Sequence, residues 1–138
     1  MTNEEKKELP RRFYKAFETN DQVELKAVLA PNFKANQSGS IETIGRDELL
    51  QLISGYQYIF SDQKFTIMDQ VAEGDMVVTR VNWEATHIGK FQGLPPTGKR
   101  VSINGISIER IKDGRIVERW LEMDQMGLLQ QLGLVPPT

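Results

Sequence analysis

The chain predicts an α+β fold, with helices gathered before an antiparallel run of strands and covering one face of it. Two observations predict this. Apolar residues in the first third recur at helical spacing, whereas from Lys64 onward they fall in strand-like runs. Gly74-Asp75 and Asp113-Gly114 then punctuate those runs as two-residue hairpin turns of the primed type.

Between Pro10 and Asn20, Phe13 and Phe17 lie four apart with Ala16 beside them, one apolar stripe of a helix. Pro10 fits best in a first turn, which makes Glu4 to Glu8 a separate or kinked lead-in. Asn20 or Asp21 caps a second helix carrying Val23, Leu25, Val28 and Leu29 and stopping before Pro31. A third helix starts near Arg46, carries Leu49, Leu50, Leu52, Ile53 and Tyr56, and ends by Phe60 or Ser61. A short strand between Phe33 and Ile44 is weakly signalled. Four strands follow, over 64–72, 76–87, 99–111 and 115–124, then a helical turn over 128–132 stopped by Gly133 and a loose Pro136-Pro137 tail.

Composition narrows the function classes. With 138 residues, 39% hydrophobic and 26% charged, this is one globular domain of ordinary size and not a disordered chain. Its 17 basic and 19 acidic residues leave a net charge of −2 with no Lys/Arg block, which argues against a nucleic-acid partner. No apolar run approaches a membrane span, and the charged N-terminus does not read as a signal peptide. The absence of cysteine rules out disulfides and thiol catalysis and fits a reducing compartment, so a cytoplasmic protein is expected.

A tight Asp113-Gly114 turn places Glu109 opposite Glu118, Ser107 opposite Trp120, Gly105 opposite Glu122 and Ile103 opposite Asp124. One sheet face would then carry three acids and a tryptophan from the last strand. Like charges directly opposite destabilise a sheet, so an arginine intervenes or a bulge breaks this register. A tight Gly74-Asp75 turn pairs Asp69 with Arg80 as a structural ion pair. The segment from Thr86 to Val101 is longer than a hairpin connection needs, is stiffened by Pro95-Pro96, and carries the only histidine, His87. Such a loop has a job or covers something.

Thr86-His87-Ile88-Gly89 followed by Phe91-Gln92-Gly93-Leu94-Pro95-Pro96-Thr97-Gly98 resembles the "THxGxFxGxPPTG" segment of SnoaL-like polyketide cyclases. Asp113-Gly114-Arg115-Ile116-Val117-Glu118-Arg119-Trp120 is similar to their "DGKIVEHW" strand. Asp124 with Gly127-Leu128-Leu129-Gln130-Gln131-Leu132-Gly133 is similar to their "D…GLLxQLG", and Asp21 to Phe33 to "DxxxLxxxLAPDF". The resemblance covers nearly the whole chain. It implies a single SnoaL-like domain over 1–138 with a nuclear transport factor 2-like cone, in which a curved sheet and three helices enclose an apolar pocket. It also implies cofactor-free chemistry: an acid late in the sheet removes a proton from carbon flanked by carbonyls, and the enolate closes a ring by aldol attack. Asp124 matches that acid and His87 the loop histidine. Where many members read "PDFVxH", this chain reads Pro31-Asn32-Phe33-Lys34-Ala35-Asn36, so Asn36 stands where a pocket histidine is often found.

Each candidate has a functional and a structural reading. Asp124 is a general base if partly buried, or the cap of the helix after it. His87 bonds a ligand carbonyl, orients Asp124 or shuttles a proton, or fastens the proline loop. Trp83 and Trp120 line a pocket for a polycyclic ligand or belong to the core. Glu118 is a second pocket acid or is neutralised by Arg80 or Arg110. Asn104 orients a substrate oxygen or bridges strands, and Tyr56 lines the mouth of the cone. A lone histidine without cysteine gives no metal-ligand spacing, and neither a metal nor another cofactor is expected. The leading expectation is a cyclase or isomerase acting on a small apolar carbonyl compound, with the protein a homodimer. The alternatives are a non-catalytic ligand-binding or dimerisation module, and epoxide-hydrolase-like water addition using Asp124 with Arg80 or Arg110.

Overall fold

The computed structural model describes residues 1–136, so Pro137 of the expected loose tail lies outside the described residues. The chain opens with one continuous helix, α1 (Asn3–Thr19). The Thr2 hydroxyl accepts from the Glu5 N–H at 3.1 Å and Glu5 Oε1 accepts from the Thr2 N–H at 3.0 Å, a reciprocal box that satisfies both donors. Pro10, expected at a helix start, lies inside α1 and withholds the donor that the Lys6 carbonyl would use. A mid-helix proline costs about 3 kcal/mol in isolation. Burial of Leu9, Pro10, Phe13, Tyr14 and Ala16 against the sheet keeps the helix unbroken.

Asp21 caps α2 (Gln22–Val28), its carboxylate accepting from the Glu24 N–H at 3.1 Å. The helix ends sooner than its apolar pattern predicts, because Leu29 and Ala30 enter β1 (Leu29–Asn36) and are buried against the rest of the sheet. After β2 (Thr43–Gly45) comes α3 (Arg46–Tyr56). Phe60 and Ser61, expected at the end of that helix, open β3 (Phe60–Glu73) instead. Then follow β4 (Met76–His87), β5 (Arg100–Lys112), β6 (Arg115–Met123) and α4 (Gln125–Leu132).

The six strands form one curved sheet in the order β2-β1-β6-β5-β4-β3. It is not wholly antiparallel, since β1 runs parallel to β6. The β3–β4 hairpin keeps the expected register from its turn to Asp69, which lies opposite Arg80 with their charged groups 2.8 Å apart; the register then shifts at Met68 and again between Ser61 and Lys64.

The β5–β6 hairpin corrects the expected one. Asp113 (φ 52°) and Gly114 (φ 76°) make the tight turn, and Lys112–Arg115 and Ile111–Ile116 pair as expected. A bulge at Val117 then shifts every later pair, so Glu109 meets Arg119 and Arg110 meets Glu118. A one-residue shift exchanges the faces of a strand. Arg119, Leu121 and Met123 therefore turn toward the helices, and Glu118, Trp120 and Glu122 turn to the outer face. Two apolar clusters fill the covered side, one beneath α1–α3 and one around Phe60, Trp83, Ile103 and Leu128, with Phe65 and Met123 packed against both.

Candidate active site

Where the two clusters meet, the covered side holds a cavity of about 220 Å³. Its walls are chiefly apolar, with aromatic rings from Phe17 of α1, Tyr56 of α3, Phe60 and Phe65 of β3, Trp83 of β4 and Phe91 of the long loop beside aliphatic side chains such as Leu49, Ile53 and Ile103. Polar groups are few, which is how small-molecule sites fix orientation within an apolar enclosure. They are carried by Tyr14, Gln37, Ser38, Tyr56, Gln63, Trp83, Arg119 and Gln125; among the described residues no carboxylate lines the cavity.

The most unusual group is Arg119, only 3% exposed. Its guanidinium lies 4.6 Å from the Phe13 ring centroid and 5.3 Å from that of Tyr14, and its Nη2 donates to the Tyr14 hydroxyl at 2.8 Å. Tyr14 in turn shares a 2.6 Å hydrogen bond with Ser107 Oγ. Behind them the Thr79 hydroxyl donates to Glu109 Oε1 at 2.7 Å, and Gln70 Nε2 donates to Thr79 Oγ1 at 3.2 Å. Burial raises the Glu109 carboxyl above its ordinary range, against the opposing pull of Arg119 and the hydroxyls of Ser107 and Thr79. Burial likewise raises the Tyr14 phenol, so it is kept neutral and remains a hydrogen-bond donor.

Gln63 is a further polar residue of the lining. The Trp83 indole N–H donates to its Oε1 at 3.0 Å, which orients the amide and leaves Nε2 as its donor atom. Gln37 Oε1, Gln63 Nε2 and Arg119 Nε, all on cavity-lining residues, are buried with no partner among the described residues.

The long loop delivers Phe91 to this wall. Phe91 and Leu94 bond to each other across a tight turn at Gln92 and Gly93, both with positive φ, and the Phe91 ring sits 5.6 Å from that of Phe60. His87 anchors the loop and is fully buried. Its Nδ1 accepts the Thr97 N–H at 3.1 Å and lies 2.9 Å from the Thr97 hydroxyl, making Nδ1 the unprotonated nitrogen. At the other end, the Ile88 and Gly89 N–H groups donate to the Ile59 carbonyl at 2.8 and 3.1 Å. Any side chain at Gly89 would collide with the Tyr58 carbonyl.

The residues singled out from the sequence are dispersed. Trp83 and Tyr56 line the cavity. His87 does not; it fastens the loop. Asp124 is exposed, and its carboxylate caps α4 by accepting the Gly127 N–H at 2.9 Å. It lies between two cavity-lining neighbours, Met123 and Gln125, but is not brought together with His87. Asn36 donates to Glu118 at 3.2 Å and to the Arg119 carbonyl at 3.2 Å. That contact replaces the ion pair expected for Glu118, because Arg80 pairs with Asp69 and Arg110 with Asp75. Trp120 lies under the Arg110 guanidinium, 5.8 Å from its ring centroid. Asn104 bridges strands by accepting from Asn82 at 3.0 Å. Tyr14, Gln63, Glu109 and Arg119 are not among the residues the sequence marks as site candidates; the one legible signal was the facing pair of acids at Glu109 and Glu118, which demanded an arginine or a bulge, and the bulge is what brings Arg119 opposite Glu109.

The SnoaL-like polyketide cyclase family model matches residues 8–132. The chain belongs to that family. The aklanonic acid methyl ester cyclase DnrD of Streptomyces peucetius is 30% identical over 98 residues, which are 70% of this chain and 68% of DnrD. The corresponding enzyme DauD of Streptomyces sp. (strain C5) is 28% identical over 100 residues, 70% of this chain and 61% of DauD. The nogalonic acid methyl ester cyclase of Streptomyces nogalater is 30% identical over 90 residues, 64% of this chain and 67% of that enzyme. Among solved structures, IdmH of Streptomyces antibioticus superposes with a TM-score of 0.85 at 31% identity, covering 93% of this chain and 98% of IdmH. TsrD of Streptomyces laurentii gives 0.86 at 28% identity, covering 98% and 99%. The fold of this SnoaL-like chain is thus the α+β cone of its relatives. Among the described residues no helix is long and apolar enough to cross a membrane.

Proposed function

We propose that this SnoaL-like protein is a ring-closing enzyme acting by acid–base chemistry on a small, largely apolar carbonyl compound held in the cavity. The observation that carries this reading is a neutral phenol and a guanidinium, Tyr14 and Arg119, set in a largely apolar wall of aromatic and aliphatic side chains. Donors fixed in a low-dielectric wall stabilise negative charge as it develops on a carbonyl oxygen. In the step proposed, a base removes a proton from carbon flanked by two carbonyls. The resulting enolate carbon bonds to a second carbonyl carbon of the same molecule, and that oxygen takes up a proton. The product is an isomer of the substrate, and no metal or redox cofactor enters.

By family motif the base is Asp124, acting from the rim between Met123 and Gln125 after exchanging the Gly127 N–H for substrate. His87 contributes by holding the loop that carries Phe91. Because the related enzymes are named for aklanonic and nogalonic acid methyl esters, methyl esters of this kind are the substrate class to test. Incubation with aklanonic acid methyl ester, followed by chromatography, should give a product of unchanged mass and new retention. Asp124→Asn should reduce its formation at least tenfold; undiminished turnover would remove Asp124 from the role.

A second reading has its own support. Among the described residues no carboxylate lines the cavity, and Asp124 is engaged as a helix cap. A module that binds ligand without turning it over would show tight binding, unchanged by Asp124→Asn, and no product. Homodimerisation belongs to either reading: Val71, Val78, Ile108 and Trp120 form a row across the outer sheet face, and Ile106 is 48% exposed beside it. Light scattering on the purified protein tests it directly.

A further inference from the structure

Arg119 and Gln63 are both more than nine-tenths buried and both line the cavity, and among the described residues no protein atom accepts from Arg119 Nε or Gln63 Nε2. Unmet donors in an enclosed site cost free energy unless a ligand or water meets them. The two differ in character. The guanidinium is a cation whose cross-strand neighbour, Glu109 on the β5–β6 ladder, is tied to Thr79. Among the described residues no carboxylate lies within ion-pair distance of it. The Gln63 amide is neutral, and the Trp83 N–H leaves Nε2 as its donor atom. Aromatic side chains of Phe60, Phe65 and Trp83 complete the enclosure.

We infer that the cavity recognises its ligand at two oxygens, an ionised one on Arg119 and Tyr14 and a neutral carbonyl or hydroxyl oxygen on Gln63. This rests on the reading of the cavity as the ligand site and adds the ligand class: a flat aromatic body bearing an enolate, phenolate or carboxylate oxygen and a second acceptor. A neutral hydrocarbon of equal size leaves both donors unmet. A neutral ketone or ester satisfies Gln63 but leaves the charge of Arg119 uncompensated. Charge-assisted hydrogen bonds are roughly twice as strong as neutral ones, so the ionised ligand is preferred.

The test is calorimetric titration of the full chain with 1-hydroxy-2-naphthoate and, separately, with its neutral methyl ester. The acid should bind at least tenfold tighter than the ester. Arg119→Met should bring that ratio close to one, and Gln63→Leu should weaken both ligands about equally with the ratio retained. Because Arg119→Met removes a buried group, circular dichroism must first show it folded; if it is not, the wild-type ratio and the Gln63→Leu pair decide. Equal binding of acid and ester by the wild type, or a ratio that survives in folded Arg119→Met, overturns two-oxygen recognition while the cavity remains a ligand site. Failure of both ligands to bind overturns the cavity reading as well.

Discussion

Glu109 and Arg119 face each other across β5 and β6, both buried, and each keeps one polar atom with no partner among the described residues. They meet only because Val117 bulges out of the ladder. Without the bulge, Glu109 would face Glu118 and the guanidinium would point to solvent. The bulge therefore installs the cation of the cavity.

The pH dependence of stability follows from Glu109. Its carboxyl is held protonated above the ordinary glutamate range, chiefly by burial. At low pH the folded and unfolded states both carry this proton, so its contribution to stability is fully present there. As pH rises, the unfolded chain releases the proton first and the folded state binds more, so stability falls until the folded carboxyl has also titrated. Glu109→Gln should remove this downward component. Urea midpoints of both proteins from acidic to neutral pH check it; parallel curves would refute it.

Asp124 can be separated into cap and charge. Asparagine caps nearly as well as aspartate, so Asp124→Asn should keep stability within a few tenths of a kcal/mol while abolishing any base. Asp124→Ala should cost about 1 kcal/mol. Gly127→Ala should destabilise as well, since its added methyl would collide with the Asp124 carboxylate. Thermal or urea unfolding of the three variants measures this. An alanine variant as stable as wild type would contradict the cap.

The loop depends on one imidazole nitrogen. His87→Ala should destabilise by roughly 1–3 kcal/mol, the range for leaving a buried donor unmet. Deuterium exchange should accelerate over residues 88–99 while β4 and β5 stay protected. Uniform acceleration across the sheet would show that His87 serves the core and not the loop.

The Tyr14 hydroxyl joins Arg119 to Ser107. Tyr14→Phe and Ser107→Ala should each destabilise, and a double-mutant cycle should show a coupling of about 0.5–3 kcal/mol. Strictly additive effects would mean that the two hydroxyls do not act together.

The order of elements, both hairpin turns and the Asp69–Arg80 pair were legible because they follow from local chemistry. Positive φ at Asp113 and Gly114 and alternation on either side need no tertiary information. The site was less legible for a physical reason. A bulge is one residue in length yet exchanges the faces of all that follows, so counting back from the turn put Glu118, Trp120 and Glu122 where Arg119, Leu121 and Met123 stand. Pro10 misplaced a helix start because packing outweighed propensity. Gln63 reads as an ordinary polar strand residue until the Trp83 N–H is seen to orient it.

The protein carries a built-in control for its central feature. Trp83 lines the cavity and donates to Gln63, whereas Trp120 lies on the outer sheet face. The two indole N–H resonances, assigned with a Trp120→Phe variant, should be followed during titration with 1-hydroxy-2-naphthoate. If the cavity is the ligand site, the Trp83 signal shifts saturably and the Trp120 signal stays in place. A saturable shift of Trp120 with Trp83 unmoved would contradict it and move the ligand to the outer face.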